Sequence, residues 1–431
     1  MRAAAGGPAP DAAGTGATPV RRPRRVLVVG AGMVGLSCAW SLQDHGVEVE
    51  VLDRFGPAAG ASWGNAGYVT PAHVTPLPEP AILRYAVRAL IDPRSPVALP
   101  VRGGAGRARF LAGFVRHSTA SSWRRSMAAL RALDRAAIEA YDAQHEGGVE
   151  ARSIRADLLS GFARPEEASP LLAELQAVAG HGQPVDMDMM TGDEARDFDP
   201  HLSPAVRLGV LLRGQRYIDP AAYVAALAAG VRRRGGRVVG DTPVTSVSRR
   251  AGTVVAATPA GDREADAVVL AAGAWLGPLA APHGVATPVQ AGRGYSFTLP
   301  ADPPFAHPVH FPATRLALTP AGDRVRVVGI MELARPDAPP AAARFRSMVA
   351  ALRPLVEGVD WKGRADDWVG PRPLTADGLP LIGTTGTPGV YVAGGHGMWG
   401  ITLGPVTGRL LAELVATGRT PPELAPFDPR R

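Results

Sequence analysis

The sequence predicts an α/β fold with two domains, one built on a parallel sheet and one built on a mostly antiparallel sheet with helices. Three observations lead to this prediction. A compact strand–helix–strand segment spans residues 26–53. Residues 70–215 lack the regular alternation of strands and helices that a parallel sheet requires. That alternation returns after Asp219, so residues distant in the sequence are expected to complete the first sheet.

The first unit begins with residues 26–29, a β-branched run typical of a buried parallel strand. An apolar helix follows as far as His45, and Gly46 is placed to end it. Residues 47–52 form the second predicted strand. Later strands are predicted at 237–239, 244–247, 253–258, 267–271, 289–299, 324–332 and 390–394, and later helices at 80–91, 107–117, 121–145, 170–180, 220–234 and 405–417.

Three glycines join the first strand to the first helix as G-x-G-x-x-G, at Gly30, Gly32 and Gly35. The first permits a tight turn, the second lets the backbone approach a pyrophosphate, and the third lets helix and strand pack closely. The helix N-terminus adds free N–H groups. Asp53 ends the second strand, where a carboxylate can accept hydrogen bonds from ribose hydroxyls. The segment therefore predicts a Rossmann-like dinucleotide-binding domain.

Three later segments favour FAD over NAD. Residues 60–67 form a second loop of small residues, suited to the distal half of a longer cofactor. Residues 267–275 are a strand that ends in small residues, and residues 390–401 are a strand and glycine loop before a helix predicted to begin after Leu403. An NAD-dependent dehydrogenase, the alternative, would leave the distal loops unexplained.

The order of these motifs resembles the D-amino-acid oxidase superfamily of FAD-dependent oxidoreductases, and within it most of all the bacterial D-amino-acid dehydrogenases. The segments that carry the resemblance are G-x-G-x-x-G at 30–35, L-D-R at 52–54, G-A-S-x-x-N-A-G at 60–67, V-L-A-A-G-A-W at 269–275, G-P-R-P-L-T-A-D-G-L-P-L-I-G at 370–383 and G-H-G-M-x-G-I-T-L-G-P at 395–405. The resemblance runs from about residue 24 to residue 415 and is thin across 80–210.

The resemblance implies a set of FAD-binding residues. They are Gly30, Ala31, Gly32, Met33, Val34, Gly35, Asp53, Arg54, Ala61, Ser62, Asn65, Ala66, Gly67, Val244, Ala272, Gly273, Gly395, Gly397, Met398, Gly400, Ile401 and Thr402. Relatives with covalent flavin carry a histidine where this chain has Gly64, or a cysteine near the C-terminal loop. This chain has no cysteine after Cys38, so FAD is expected to be bound non-covalently.

Arg372 is the first candidate on the substrate side. It stands between two prolines, Pro371 and Pro373, which predict a stiff turn. A planar guanidinium suits bidentate binding of a carboxylate, although a structural ion pair would also explain it. The resemblance implies that Arg372 binds the substrate carboxylate. It also implies oxidation of the C–N bond of a D-amino acid: hydride passes from Cα to flavin N5, and the imine is hydrolysed to a keto acid.

The other candidates are less specific. His396 lies beside the C-terminal glycine loop and is suited to polarising the flavin or relaying a proton; a histidine bonded to backbone is the alternative. Tyr295 lies in a segment that the resemblance places near the pocket. Tyr68, Tyr217 and Met398 are further pocket candidates, for which core packing is the competing interpretation.

Composition excludes several classes of function. The formal net charge is +7, but Lys362 is the only lysine and the arginines are scattered without a nucleic-acid motif, so no nucleic-acid partner is predicted. One cysteine, Cys38, excludes an internal disulfide and a multi-cysteine metal site, and no metal is predicted. No stretch reaches the roughly 18 apolar residues of a membrane span. Cytoplasmic localisation is the expectation.

The predicted organisation is a disordered leader at 1–23, an FAD-binding domain at 24–75, 215–285 and 370–420, a substrate domain at 76–214 and 286–369, and a tail at 421–431. Glycine, sarcosine or D-hydroxyproline oxidation and tailoring of an amino-acid-like natural product remain alternative activities. A non-catalytic FAD-binding subunit of a heteromeric amine oxidase is an alternative of another class. The electron acceptor, O2 or a quinone, and homo-oligomer formation stay open.

Overall fold

A computed structural model of the chain describes residues 22–80, 97, 98 and 105–431. Residues 1–21 of the predicted leader, and all but the first residue of the helix predicted at 80–91, lie outside the described residues.

Most of the predicted strands and helices are present in the predicted order, and the structure adds further strands. The strands are β1 (Arg25–Val29), β2 (Glu48–Leu52), β3 (Tyr68–Val69), β4 (Val97–Ala98), β5 (Ile154–Arg155), β6 (Leu158–Phe162), β7 (Met187–Thr191), β8 (Leu208–Leu212), β9 (Arg216–Tyr217), β10 (Arg237–Val239), β11 (Ser246–Arg250), β12 (Thr253–Ala257), β13 (Arg263–Ala265), β14 (Ala267–Leu270), β15 (Gln290–Pro300), β16 (Val309–Phe311), β17 (Leu316–Ala321), β18 (Arg324–Leu333), β19 (Ala365–Leu374), β20 (Leu381–Thr384) and β21 (Val390–Gly394). The helices are α1 (Met33–Asp44), α2 (Ala105–His117), α3 (Ala120–Asp134), α4 (Ala137–Glu146), α5 (Ser169–Gly180), α6 (Gly192–Phe198), α7 (Pro220–Arg233), α8 (Leu276–Ala280), α9 (Ala342–Leu352) and α10 (Gly400–Thr417).

A six-stranded sheet in the order β10-β2-β1-β14-β21-β20 joins the distant segments that were predicted to share one sheet. All neighbouring strands are parallel except β20 and β21. Val26 and Val28 pack against α1, α7 and α10, whereas Leu27 and Val29 pack on the other face against β11–β13 and α8. Because both faces are covered, β1 is a continuous apolar run.

A second, larger sheet has the order β19-β15-β18-β17-β16-β6-β8-β7, with β4 beside β18. Its strand pairs are antiparallel except β16 with β6 and β18 with β4. Phe297, Val327 and Leu318 lie on one face and pack against Phe345 and Met348 of α9. The predicted combination of a parallel-sheet domain and a mostly antiparallel sheet with helices is therefore confirmed.

Three local predictions were wrong. The helix predicted at 121–145 is two helices, α3 and α4, and no glycine or proline marks the bend between them. The strand predicted at 244–247 begins at Ser246. The boundary predicted at residue 370 falls within β19, which extends the larger sheet to Leu374. The predicted C-terminal tail packs onto the body: Phe427 is fully buried, and Arg431 forms an ion pair with Asp377. The other predicted domain bounds stay predictions.

The last helix also begins earlier than predicted, at Gly400 rather than after Leu403, and it contains Pro405. A proline inside a helix has no N–H for the carbonyl four residues before it, which here belongs to Ile401. The buried hydroxyl of Tyr141 donates to that carbonyl at 2.8 Å. A side chain from α4 thus replaces the missing helical bond and lets the helix continue through Pro405.

We expect Tyr141→Phe to lower the free energy of unfolding by about 1–3 kcal/mol, because the Ile401 carbonyl loses its donor in a buried site. Urea denaturation of the holoprotein measures the loss. Tyr391→Phe is the matched control, since no hydrogen bond of the Tyr391 hydroxyl is found within the described residues. Equal losses in the two variants would show that the Tyr141 hydroxyl has no special role.

Candidate functional site

A cavity of about 330 Å³ opens where β1, β2 and β14 end, at the carboxyl edge of the six-stranded sheet. Open α/β sheets bind ligands at this edge. The predicted residues that line the cavity are Gly30, Gly32, Met33, Val34, Gly35, Asp53, Arg54, Ala61, Ser62, Asn65, Val244, Ala272, Gly273, Arg372, His396, Gly397, Gly400 and Ile401. Segments from both ends of the chain and from its middle therefore meet at one site.

The three glycines after β1 have the separate roles that their spacing predicts. Gly30 has a φ of +114°, and a Cβ there would overlap the carbonyl of Ala271. A Cβ on Gly35 would overlap the carbonyl of Gly30. Among the described residues, a Cβ on Gly32 would meet only Ser62 Oγ, at 3.2 Å, and Gly32 lines the cavity. Gly30 and Gly35 thus hold the turn, while Gly32 leaves room for a ligand at the N-terminus of α1.

Asp53 binds the glycine turn as well as facing the cavity. Its Oδ2 accepts the N–H of Ala31 at 2.8 Å, and its Oδ1 accepts the N–H groups of Phe55 and Gly56 at 2.9 Å. A carboxylate has about four acceptor positions, so one remains for a ribose hydroxyl. Ala31 does not line the cavity, and its link to the site is the bond to Asp53.

The loop at 60–67 is also tied to α1. Ser62 Oγ accepts the N–H of Met33 at 3.1 Å, and Asn65 Oδ1 accepts the N–H of Gly67 at 2.9 Å. Gly67 has a φ of +75°, and a Cβ there would overlap the carbonyl of Ile218. Ala66 and Gly67 therefore shape the loop without lining the cavity, whereas Ser62 and Asn65 line it.

These residues fit a dinucleotide such as FAD. Gly32 leaves space for a pyrophosphate at a helix N-terminus, and Asp53 keeps an acceptor for ribose. Near Asp53, the Arg54 guanidinium lies 4.6 Å from the centroid of the Trp275 ring. Both planar groups line the cavity and are suited to contact an adenine. The cavity continues to Gly397 and Gly400, where α10 begins, so it provides a second helix N-terminus for the distal part of the cofactor.

Arg372 lies on the cavity wall, but the turn predicted around it is wrong. It belongs to β19, an edge strand whose only partner among the described strands is β15. Pro371 and Pro373 therefore remove no hydrogen bond from the open side of β19. Its Nη1 donates to the carbonyl of Ile330 at 3.1 Å. Burial lowers the pKa of Arg372 to about 10, so the side chain stays charged at neutral pH. Within the described residues Arg372 has no carboxylate partner.

His396 is a buried, neutral group of the cavity wall. Its Nε2 lies 2.9 Å from Thr407 Oγ1, and its Nδ1 has no partner among the described residues. Burial lowers the pKa of His396 to about 3, so the imidazole is uncharged throughout the physiological range. Both predicted roles of His396, polarising the flavin and relaying a proton, stay predictions.

Other predicted residues are not among those that line the cavity. Tyr295 is fully buried in the core of the larger sheet, where its hydroxyl donates to Glu332 at 2.8 Å. The hydroxyl of Tyr68 donates to the carbonyl of Val309 at 2.9 Å, and Tyr217 pairs with Tyr68 between β9 and β3. Thr402 Oγ1 donates to the carbonyl of Tyr68. Gly395 and Met398 also do not line the cavity. The substrate contacts predicted for the three tyrosines stay predictions.

Several lining residues were not among the individually predicted site residues. They are Val29, Leu52, Phe55, Ala59, Gly60, Pro243, Thr245, Ala271, Ala274, Trp275, Pro278, Leu279, Pro371, Pro373, Ala393 and Gly394. Most of them are neighbours in the sequence of predicted residues in the same loops, and this adjacency could have identified them. Pro278 and Leu279 had no such signal, because the turn of the chain after β14 is what brings them to the site.

We expect FAD to be bound non-covalently. A side chain at Gly64 would overlap the ring of Trp368 and approach Ser296 Oγ at 2.7 Å, so the position has no space for an attachment residue. Acid precipitation of the purified protein should therefore release all of the yellow colour into the supernatant. Flavin fluorescence that stays with the denatured protein on a gel would contradict this prediction.

Two further findings concern the described part of the chain. It contains no helix long and apolar enough to cross a bilayer. It also contains no cluster of three or more His, Cys, Asp or Glu side chains that could hold a metal ion.

Comparison with known proteins agrees with this geometry. The family model "DAO: FAD dependent oxidoreductase" matches residues 25–414. A D-amino acid dehydrogenase of Cereibacter sphaeroides is 30% identical over 407 residues, which are 92% of each chain. A D-amino acid dehydrogenase of Allorhizobium ampelinum is 30% identical over 415 residues, 92% of this chain and 96% of the relative.

The fold is shared with solved structures. Glycine oxidase from Geobacillus kaustophilus has a TM-score of 0.72 at 24% identity, covering 95% of this chain and 99% of the other. L-alpha-glycerophosphate oxidase from Mycoplasma pneumoniae, solved with FAD bound, has a TM-score of 0.66 at 17% identity, covering 91% and 94%. The family model matches residues 25–414, a range that includes every residue lining the cavity. The chain therefore belongs to the DAO family and is an FAD-dependent oxidoreductase.

Proposed function

We propose that this protein oxidises the C–N bond of a D-amino acid or a similar small amino or imino acid. The observation that carries the proposal is Arg372, a charged guanidinium on the cavity wall with no carboxylate partner in the described residues. A buried cation without a counter-ion is costly, and an anionic ligand removes that cost. The choice of a C–N bond and of the D configuration rests on the names of two relatives, both of them D-amino acid dehydrogenases.

In this proposal Arg372 binds the substrate carboxylate and thereby orients Cα in the cavity. FAD, when bound, supplies the two-electron acceptor that takes a hydride from Cα. The substrate amine must first lose a proton, so that the nitrogen lone pair can form the C=N bond as hydride leaves. Water then hydrolyses the imine to a keto acid and ammonia. His396 adds no positive charge near the amine, since it is neutral.

The apolar part of the wall has a separate role. Pro373, Ala393 and Ile401 line the cavity beside Arg372 and His396. They offer no hydrogen-bonding side chain to water, so the carboxylate of the substrate meets the guanidinium in a poorly hydrated site. A charge-assisted hydrogen bond is stronger there than at the surface.

Anaerobic mixing with a panel of amines tests the proposal. The panel contains several D-amino acids, their L enantiomers, glycine, sarcosine and D-proline. We expect a D-amino acid to bleach the absorbance of oxidised flavin faster than its enantiomer does. If dithionite reduces the flavin and no member of the panel does so, the proposed activity is wrong, and a non-catalytic FAD-binding subunit becomes the better account.

A further inference from the structure

Two residues of the larger sheet that do not line the cavity contact the Arg372 guanidinium: Gly294 on β15 and Ile330 on β18. We propose that Gly294 and a β-bulge at Ile330 are a positioning device that holds the Arg372 guanidinium with one edge free for a carboxylate. This inference rests on the proposed function, because it assumes that Arg372 binds the substrate.

The bulge is visible in the pairing of β15 with β18. Arg293 pairs with Glu332 and Tyr295 pairs with Gly329, so Ile330 and Met331 together oppose Gly294 alone. Ile330 has a φ of +60°. A β-branched residue rarely adopts this left-handed conformation, because its side chain crowds its own backbone there. Such strain persists where the surrounding structure holds it, and it often marks a functional site.

The strained conformation turns both the side chain and the carbonyl of Ile330. In a regular strand, Ile330 would point away from the face that Val325 and Val327 share. Instead it is 7% exposed and belongs to the same core cluster as those two valines. Its carbonyl accepts the bond from Arg372 Nη1 at 3.1 Å. The extra residue therefore keeps the apolar side chain in the core while its carbonyl is presented to the arginine.

Gly294 provides the space in which the guanidinium lies. A Cβ built on Gly294 would overlap Cζ and both terminal nitrogens of Arg372. The φ of Gly294 is outside the left-handed region, so an alanine there would meet no backbone strain. The requirement for glycine at this position is therefore set by the arginine side chain and not by the conformation of the strand.

Together the two contacts decide which edge of the guanidinium a ligand can use. Nη1 is held by Ile330, and the face of the group lies against Gly294. Within the described residues Nε and Nη2 have no acceptor. A carboxylate can thus form two parallel bonds to the Nε and Nη2 edge, the bidentate geometry that gives arginine its selectivity for planar anions.

A double-mutant cycle between Gly294 and Arg372 tests the inference. The readouts are the Kd of pyruvate, a keto acid, measured from its perturbation of the flavin spectrum, and kcat/KM with the amino acid that bleaches the flavin fastest. We expect Gly294→Ala to weaken pyruvate binding by about tenfold or more, because the displaced guanidinium no longer meets the carboxylate. In the Arg372→Ala background, Gly294→Ala should have no further effect, because the overlapping group is gone. Flavin content should stay normal throughout.

Gly180→Ala is the matched control, since a Cβ there would meet no atom within 4 Å, and it should leave pyruvate binding unchanged. If Arg372→Ala itself leaves pyruvate binding unchanged, the proposed function fails. If Arg372→Ala weakens binding but Gly294→Ala does not, or if the two losses add in the double variant, only the positioning inference is overturned. Should Gly294→Ala fail to fold, folding of the double variant supports the inference and failure of both refutes it.

Discussion

Arg372→Ala is expected to lower kcat/KM for an amino-acid substrate by about a hundredfold or more. Two charge-assisted hydrogen bonds to the carboxylate are lost, each worth about 1.5–3 kcal/mol, and Cα loses its alignment. Steady-state kinetics with the best substrate of the amine panel measures the loss. Flavin content should remain near normal, because the guanidinium donates to the Ile330 carbonyl and is not part of the glycine turn that receives the cofactor.

Two comparisons separate carboxylate binding from a structural role of Arg372. Arg372→Lys should recover only part of the loss, since an ammonium keeps the charge but cannot form the planar pair of bonds. Amines without a carboxylate should be poor substrates of the unaltered protein and no worse for Arg372→Ala. Near-normal kinetics of Arg372→Ala with amino acids would show that the arginine is structural and that the substrate lacks a carboxylate.

Gly32→Val is expected to abolish FAD binding while leaving the fold intact. The side chain would project into the cavity at the N-terminus of α1, where a Cβ meets only Ser62 Oγ. A valine there occupies the place of the pyrophosphate and shields the N–H groups of the helix. The flavin-to-protein absorbance ratio after purification measures the loss.

Gly35→Val provides the contrast for Gly32→Val. A Cβ at Gly35 would overlap the carbonyl of Gly30, so this variant should fail to fold rather than fold without flavin. Circular dichroism distinguishes the two outcomes. A folded Gly32→Val protein with full flavin content would show that the cofactor does not lie against the glycine turn.

The cofactor half of the site could be predicted from local sequence because its chemistry is local. Gly30, Gly32, Gly35 and Asp53 lie within one strand–helix–strand unit, and the bonds that fold this unit run between its own backbone groups and Asp53. The spacing of these four residues is therefore enough to predict how they are arranged in the fold. The last helix could also be predicted from local sequence, except for its start. There the hydroxyl of Tyr141 allows Pro405 to lie inside the helix.

The substrate half was predicted less well because its geometry depends on long-range pairing. Arg372 was assigned to a turn because it stands between prolines, and only the edge position of β19 explains how a strand tolerates them. Tyr295 was predicted to lie near the pocket because the resemblance places its segment there. Only the pairing of β15 with β18 shows that Tyr295 lies in the core of the larger sheet, where its hydroxyl donates to Glu332.

The sequence by itself determined the fold class and the FAD-binding turn, because glycine spacing and a terminal acid act within short stretches of chain. It also singled out Arg372 as a candidate for carboxylate binding, with a structural ion pair as the alternative. Only the tertiary structure decided which side chains reach the cavity. That choice depends on strand register, on the left-handed Ile330 and on the space above Gly294, which arise where segments some 40 to 80 residues apart pair in one sheet. Local patterns carry no information about such pairing, so Gly294 and Ile330 became visible only in the folded chain.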